Sequence, residues 1–426
     1  MSERSKVVIA IVGGGIGGIC AAIGLGRIGY DVHIFEQAPQ FSEIGAGVGV
    51  GGNGVRTLHA MGLGEDYEKI ADMSEPYAPW FTFLTWDKGD VVTSVPMHGR
   101  RGNVHRARFL DCLLQHMPSN VTTHFSTRVT EVRNVDDGNG TPSRACLSIM
   151  TANSTSTEWF EASAVIGCDG VKSVVRDSFH SEMGGRILYS GSYAYRGLVD
   201  MKKAVEQTGE IMRQPAMWMG KDKHAVLFPI DHGKVLNIVT FVTDRSVDVN
   251  ERVWEGPWVK PASHEQMDRD FRGWDPRLRI ALSLIDKPEV WALHDLSILD
   301  RWTVGRVTLL GDSAHASMPH NGAGAGQAIE DAYVLAKLFE HPACNAETIP
   351  DFLQAYEDVR RPRASYQQIH CRESGDIYEF ASPLGDDLTK IDFHLRDRYS
   401  WIWDHNLDHD VEYALSSLRK KGVIVT

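Results

Sequence analysis

Six apolar residues, Val7 to Val12 (VVIAIV), run straight into Gly13-Gly14-Gly15, and small and apolar residues from Ile19 to Ile28 then lead to a second strand-like run, Asp31 to Phe35. Buried strand, glycine cluster, helix and strand in that order predict a βαβ unit feeding a parallel sheet. Gly13, Gly15 and Gly18 form Gly-x-Gly-x-x-Gly. The first glycine allows the tight turn, the second lets backbone approach a pyrophosphate, and the third lets helix pack on strand, while the helix N-terminus favours anionic phosphate. Glu36 closes the second strand about 20 residues on, where an acid can bind ribose hydroxyls. The bland alternative is a glycine-rich turn without a ligand.

Two further strand ends carry polar signals. Asp169-Gly170 follows the apolar run Ala164 to Cys168, at the carboxyl end of a strand, where open α/β sheets bind ligands. By itself the pair also reads as an ordinary turn, with Arg176 in a surface ion pair. Asp312, in Gly311-Asp312-Ser313-Ala314-His315, follows the run Val304 to Leu310 and precedes PHNGAGAGQAIEDA (319–332). An acid there can accept hydrogen bonds from a polyol, and the Gly322 to Gly326 stretch can turn backbone N–H groups and a helix N-terminus toward negative charge.

Forty-four Lys and Arg against 56 Asp and Glu leave a net charge of −12, which makes nucleic acid an unlikely target. The apolar runs are far shorter than the roughly 20 residues that span a bilayer, so no membrane span is expected. Arg4 and Lys6 precede an apolar run that breaks into glycine instead of a cleavage site, so a cytoplasmic, reducing location is expected. The six cysteines (Cys20, Cys112, Cys146, Cys168, Cys344, Cys371) contain no Cys-x-x-Cys pair and read as buried thiols.

Between Gly184 and Leu299 the pattern changes to strands joined by polar turns: Tyr193–Val199, Ala216–Met219, His224–Phe228 and Val235–Val242. They predict a mostly antiparallel second sheet. The expected fold class is therefore α/β, with a Rossmann-like domain over 1–183 and 301–370, a substrate-binding sheet domain over 184–300 and a C-terminal helical segment over 371–426. The turn-rich DDGNGTPS (136–143) between two strand-like segments reads as an inserted antiparallel piece.

The three motifs, in this order and spacing, resemble the group A flavoprotein aromatic hydroxylases, FAD-dependent monooxygenases that use NAD(P)H. PHNGAGAGQAIEDA, YEDVRRPRA (356–364) and WIWDHNLD (401–408) resemble the salicylate hydroxylase branch. The resemblance implies that Gly13, Gly15, Gly18 and Glu36 hold the ADP half of FAD, that Arg106 contacts the flavin and that Asp312 binds the ribityl chain. It further implies that Asp169, Gly45 to Gly49, Gly322, Gly324 and Ala325 line the cofactor. Gly52, Arg108, Ser313 and Asn321 depart from the family's usual residues, and Asn321 is expected to border the substrate.

The implied chemistry is reduction of FAD by NAD(P)H, reaction with O2, and oxygen transfer to an electron-rich phenol, with salicylate converted to a catechol. Arg196 lies in an apolar strand and can hold a carboxylate or phenolate by two hydrogen bonds; otherwise it is an edge residue reaching water. His320, beside the glycine loop, is the candidate to accept the phenol proton with a near-neutral pKa, or it only orders that loop. Phe228 is expected in the pocket wall. His315 and His320 lack a third ligand, so no metal is expected. Two alternatives stay open: hydroxylation or dearomatisation of another phenol, and a non-catalytic flavin-binding sensor.

Overall fold

The computed structural model describes the whole chain except residues 1–2, 42–46, 98, 137, 139–141, 153–155, 247, 249–250 and 425–426. The expected contacts of Gly45 and part of the turn at 136–143 lie outside the described residues. Val8–Val12 pairs in parallel with Asp31–Phe35 on one side and Ala164–Gly167 on the other, placing Ile11 between Ile34 and Ile166. Strands buried on both faces need apolar residues at every position, which is why Val8–Val12 and Ala164–Gly167 are continuous apolar runs, whereas Asp31–Phe35 keeps Asp31 and His33 half-buried. Among the described residues this sheet has the order Thr303–Val304, Val307–Leu309, Ala164–Gly167, Val8–Val12, Asp31–Phe35, Val121–His124.

The helix Ile16–Ile28 covers one face and ends at Gly29, whose φ of 102° is left-handed, a conformation glycine adopts without steric cost. It crosses the helix Gly324–Phe339 closely. A Cβ on Gly24 would lie 2.7 Å from that of Ala336, so glycine is what permits the approach. The hairpin of Thr127–Asp136 and Pro142–Thr151, with Glu158–Ala162, forms a separate antiparallel sheet.

The second large sheet contains Ile187–Asp200, Ala216–Gly220, Lys223–Ile230, Val235–Thr243 and Glu289–Leu296, close to the expected strands. It also recruits Pro79–Thr85 and Val91–Pro96 from the amino-terminal third of the chain. Pro79–Thr85 joins in parallel beside Ala216–Gly220, a long-range pairing with no local sequence signature. One face packs Tyr195, Trp218, Leu227 and Ile238 with residues of the 264–283 helices such as Met267 and Leu278. Trp80, Phe83 and Met217 instead pack with Tyr378, Tyr399 and Trp403 from the carboxyl-terminal helices.

The helix Ile349–Tyr378 runs without interruption through residue 370, so the segment boundary expected there falls inside one helix. Pro350 occupies its first turn, where the missing N–H has no intrahelical partner to lose. Pro362 sits in its interior without ending it. Flanking Arg360 and Arg363 tie this stretch to Glu330 on the Gly324–Phe339 helix.

Candidate active site

One cavity is lined by residues of the second large sheet and by the loops and helix ends that follow strands of the first. Gly15, Gly17 and Gly18 line one end, where the Ile16–Ile28 helix begins. No side chain caps that N-terminus, so its free N–H groups and positive dipole end face the cavity. Gly13 does not line it; with φ of 100° and its Cβ position 2.4 Å from the Cys168 carbonyl oxygen, it makes the turn. A Cβ on Gly18 would lie 2.1 Å from the Gly13 oxygen, so any other residue would push the helix off the strand. The Glu36 carboxylate accepts hydrogen bonds from Gly14 N (2.9 Å) and Ala38 N (2.8 Å), which holds it against the glycine loop.

Asp312 opens the next part of the cavity. Its side chain is exposed there and makes no hydrogen bond or ion pair among the described residues. Gly322, Gly324 and Ala325 follow, at the uncapped N-terminus of the Gly324–Phe339 helix. Nothing lies within 4 Å of where a Gly324 Cβ would stand. Gly49, in the strand Gly47–Val50, and Arg106, first residue of Arg106–Leu114, line the facing wall. Two uncapped helix ends, an open crevice that a Cβ on Gly324 would enter, and one unengaged carboxylate suit a long dinucleotide with phosphates at one end and a polyol in the middle. The residues present fit FAD.

Asp169 departs from the cofactor-contacting role expected of it. Its Oδ2 accepts hydrogen bonds from Val174 N (2.7 Å) and Val175 N (3.1 Å), tying the strand end to the short Val174–Ser178 helix. Its neighbours Cys168 and Gly170, not Asp169, line the cavity. An Asp-Gly pair at a strand end reads the same whether the acid faces a ligand or anchors the next helix.

Arg196 enters the far end from Ile187–Asp200, beside Phe228, Val239 and Phe241. Its guanidinium lies over the Trp291 ring, 4.9 Å from the centroid, and makes no hydrogen bond or ion pair among the described residues. Burial, and then the charge of Arg106, lower its pKa, against a smaller opposing effect of Glu289. An anionic ligand would offset both. Phe228 stands edge-on to Phe81, 6.4 Å between centroids.

His320 lines the same end, but its environment differs from the near-neutral one expected. Burial, followed by the charge effects of His224 and Arg245, lowers its pKa to about 3, with Glu379 opposing. It is a neutral imidazole at physiological pH. Asn321 is buried, its Nδ2 3.2 Å from His370 Nδ1, and does not line the cavity. A buried amide takes the nearest partner, here on the Ile349–Tyr378 helix.

Two buried clusters escaped the sequence reading. Beneath the Asp312 loop, Arg360 pairs with Glu330 and Asp331 (2.8 Å each), Arg363 with Glu330 (2.8 Å), and His315 Nε2 with Asp331 (2.6 Å). Asp331 also accepts from Gly311 N (3.0 Å), so the cluster sets the loop that carries Asp312. His315 is thus a partner of Asp331, and no group of metal-ligating side chains occurs among the described residues. The acids at 330–331 and arginines at 360 and 363 were visible, but nothing local pairs them. The second cluster, His224, Glu379 and Arg245, lies behind His320.

The model of the FAD binding domain matches residues 6–368. A salicylate hydroxylase of Pseudomonas putida is 38% identical over 96% of this chain and 95% of its own length. A 6-methylsalicylate 1-monooxygenase of Aspergillus terreus is 32% identical over 96% of this chain and 91% of its own. A solved salicylate hydroxylase substrate complex superimposes with a TM-score of 0.85 at 33% identity, covering 96% of this chain and 98% of the other. Crevice, helix ends and whole-length likeness agree: the chain belongs to the FAD binding domain family and is a flavoprotein monooxygenase.

Proposed function

We propose that this enzyme hydroxylates salicylate, or a close ortho-hydroxy aromatic acid, to a catechol with loss of CO2, using NAD(P)H and O2 in the cytoplasm. The observation that carries the reading is Arg196, a partly buried guanidinium without a carboxylate partner among the described residues, in an aromatic-walled pocket continuous with the FAD crevice. When bound, FAD accepts a hydride from NAD(P)H and activates O2 for transfer of one oxygen atom.

The chain's residues supply orientation and electrostatics. Arg196 holds the carboxylate in a bidentate pair, and Phe228 and Phe241 confine the ring. Neutral His320 accepts the phenolic O–H hydrogen bond, drawing electron density onto the ring carbon to be attacked. Asp312 and Glu36 hold hydroxyls of the ribityl and ribose parts, and Arg106 lies on the flavin side. Gly49, Gly322, Gly324 and Ala325 offer backbone to the cofactor, and the positive end of the Gly324–Phe339 helix favours negative charge there.

The test is oxidation of NADH and of NADPH by the FAD-loaded protein, with and without salicylate, while catechol and hydrogen peroxide are quantified. Stimulation with matching catechol is expected. Stimulation yielding peroxide alone would make salicylate a mimic of another phenol, and no stimulation would remove it as substrate.

A further inference from the structure

We propose that the side-chain amide of Asn237 holds a carbonyl oxygen of the flavin ring, as a donor reaching from the second large sheet to the cofactor. The inference concerns the cofactor and goes beyond the choice of substrate. Asn237 lies in Val235–Thr243, is 2% exposed and lines the cavity. Its Oδ1 accepts from Gly47 N at 3.3 Å. A backbone N–H only donates, so the oxygen end of the amide faces Gly47 and the Nδ2 end is turned away from it. That Nδ2 is buried and has no hydrogen-bond partner among the described residues. A buried donor without an acceptor carries a desolvation cost, which an arriving ligand oxygen removes. The terminal torsion of asparagine is soft, so a small swing brings Nδ2 to such an oxygen while Oδ1 stays with Gly47 N.

Position along the strand selects the ligand. Asn237, Val239 and Phe241 alternate onto the cavity face, with Phe228 opposite Asn237 and Val226 opposite Val239. His320 stands against Phe241, 5.3 Å between centroids, and Arg196 pairs with Val239. Residues 237 and 241 are about 13 Å apart along the strand. A one-ring ligand bridging Arg196 and His320 fills the 239–241 stretch, and Asn237 lies beyond it, on the side away from His320. On that side Gly47, Val48 and Gly49 line the cavity. A Cβ on Gly47 would lie 3.2 Å from Phe228 Cε2 and 3.4 Å from Asn237 Cγ, so the start of Gly47–Val50 runs directly against the second large sheet. The group expected along Gly47–Val50 is the flavin, whose pyrimidine part carries two carbonyl oxygens. An uncharged amide N–H suits a neutral carbonyl, as the Arg196 guanidinium suits an anion.

The contact has a redox consequence. Two-electron reduction places more negative charge on the pyrimidine part of the ring, and a hydrogen bond to a charged acceptor is worth more than one to a neutral acceptor. A donor at this point therefore stabilises reduced FAD more than oxidised FAD and raises its reduction potential. Asn237 itself neither gives nor takes a proton. Through Gly47 it also fastens the cofactor-lining strand to the sheet that carries Arg196, which keeps the spacing between flavin and substrate fixed.

Two variants test this. Asn237→Leu, close in volume, removes the donor, and Asn237→Asp keeps an acceptor for Gly47 N while replacing the Nδ2 donor by an oxygen. Both are read on FAD-loaded protein without substrate, through the two-electron reduction potential and the FAD dissociation constant, and then through salicylate binding. In the Leu variant the reduction equilibrium should shift about tenfold toward oxidised FAD, about 30 mV more negative. FAD binding should weaken about three- to tenfold, and salicylate affinity should change less than about twofold. The Asp variant should move the potential further in the same direction, because its carboxylate opposes added negative charge. A wild-type potential in the Leu variant overturns the proposal. A wild-type potential in the Asp variant also overturns it, because the Gly47 contact alone would then account for the Leu result. A loss confined to salicylate affinity overturns it too, and assigns the amide to the substrate.

Discussion

Two arginines in the interior of this protein are treated in opposite ways. Arg360, beneath the cofactor crevice, is completely enclosed, bonded to Glu330, Asp331 and Gln327. Arg196, in the second large sheet, has an aromatic ring beneath it and no carboxylate partner among the described residues. A saturated arginine has nothing left to offer a ligand and serves the fold. An arginine with unsatisfied donors in a lined pocket is poised for an anion that arrives from outside. The same division separates the two halves of the cavity: the glycine-lined end presents backbone, and the Arg196 end presents side chains assembled from distant strands.

The contrast predicts unequal costs. Replacing Arg360 by Met should destabilise the protein by about 3–5 kcal/mol, because two buried carboxylates would lose their shared cation, leaving Arg363 on Glu330 and His315 on Asp331. Denaturant midpoints read this directly, and a loss below about 1 kcal/mol would break the contrast. The same network should set the acid limit of stability. Against burial, which would raise it, Arg363 and Arg360 hold the Glu330 pKa at about 2 instead of the ordinary 4.5. Its contribution is therefore fully present above pH 4.5 and is lost as pH falls toward 2. A wild-type stability curve flat across that window would contradict the pairing.

Smaller effects belong to the crevice. Glu36→Ala removes a carboxylate that also accepts from Gly14 N and Ala38 N, and FAD retention should weaken about tenfold, which is about 1.4 kcal/mol and near the lower end for a hydrogen bond to a charged group. Purification with a full complement of FAD would argue against its ribose role.

How much of this was legible in the sequence depends on whether a feature is local. The strand Asp31–Phe35 and the helix ending at Ile28 were readable to the residue, because a buried parallel strand and a glycine-opened helix carry their signals within themselves. The strands of the second sheet were also visible from their turns, but the recruitment of Pro79–Thr85 was not. The glycines at the crevice announce themselves by spacing. Asp169 and Asn321 did not reveal where their polar atoms turn, since a short polar side chain can serve a ligand or the nearest backbone equally well. His224 looked like one more residue of an apolar strand. Only the fold brings it to Glu379, which lies 155 residues away in the chain.

The most direct test of the contrast measures three quantities on one preparation of Arg196→Met: FAD content, thermal stability and salicylate affinity. FAD content should match wild type, and stability should be equal or higher, because a partly buried charge without a carboxylate partner among the described residues has been removed. Salicylate affinity should fall about 100-fold, corresponding to about 2–3 kcal/mol for a lost charged pair. Unchanged affinity, or a fall in stability like that of Arg360→Met, would show that Arg196 serves the fold and would contradict the account.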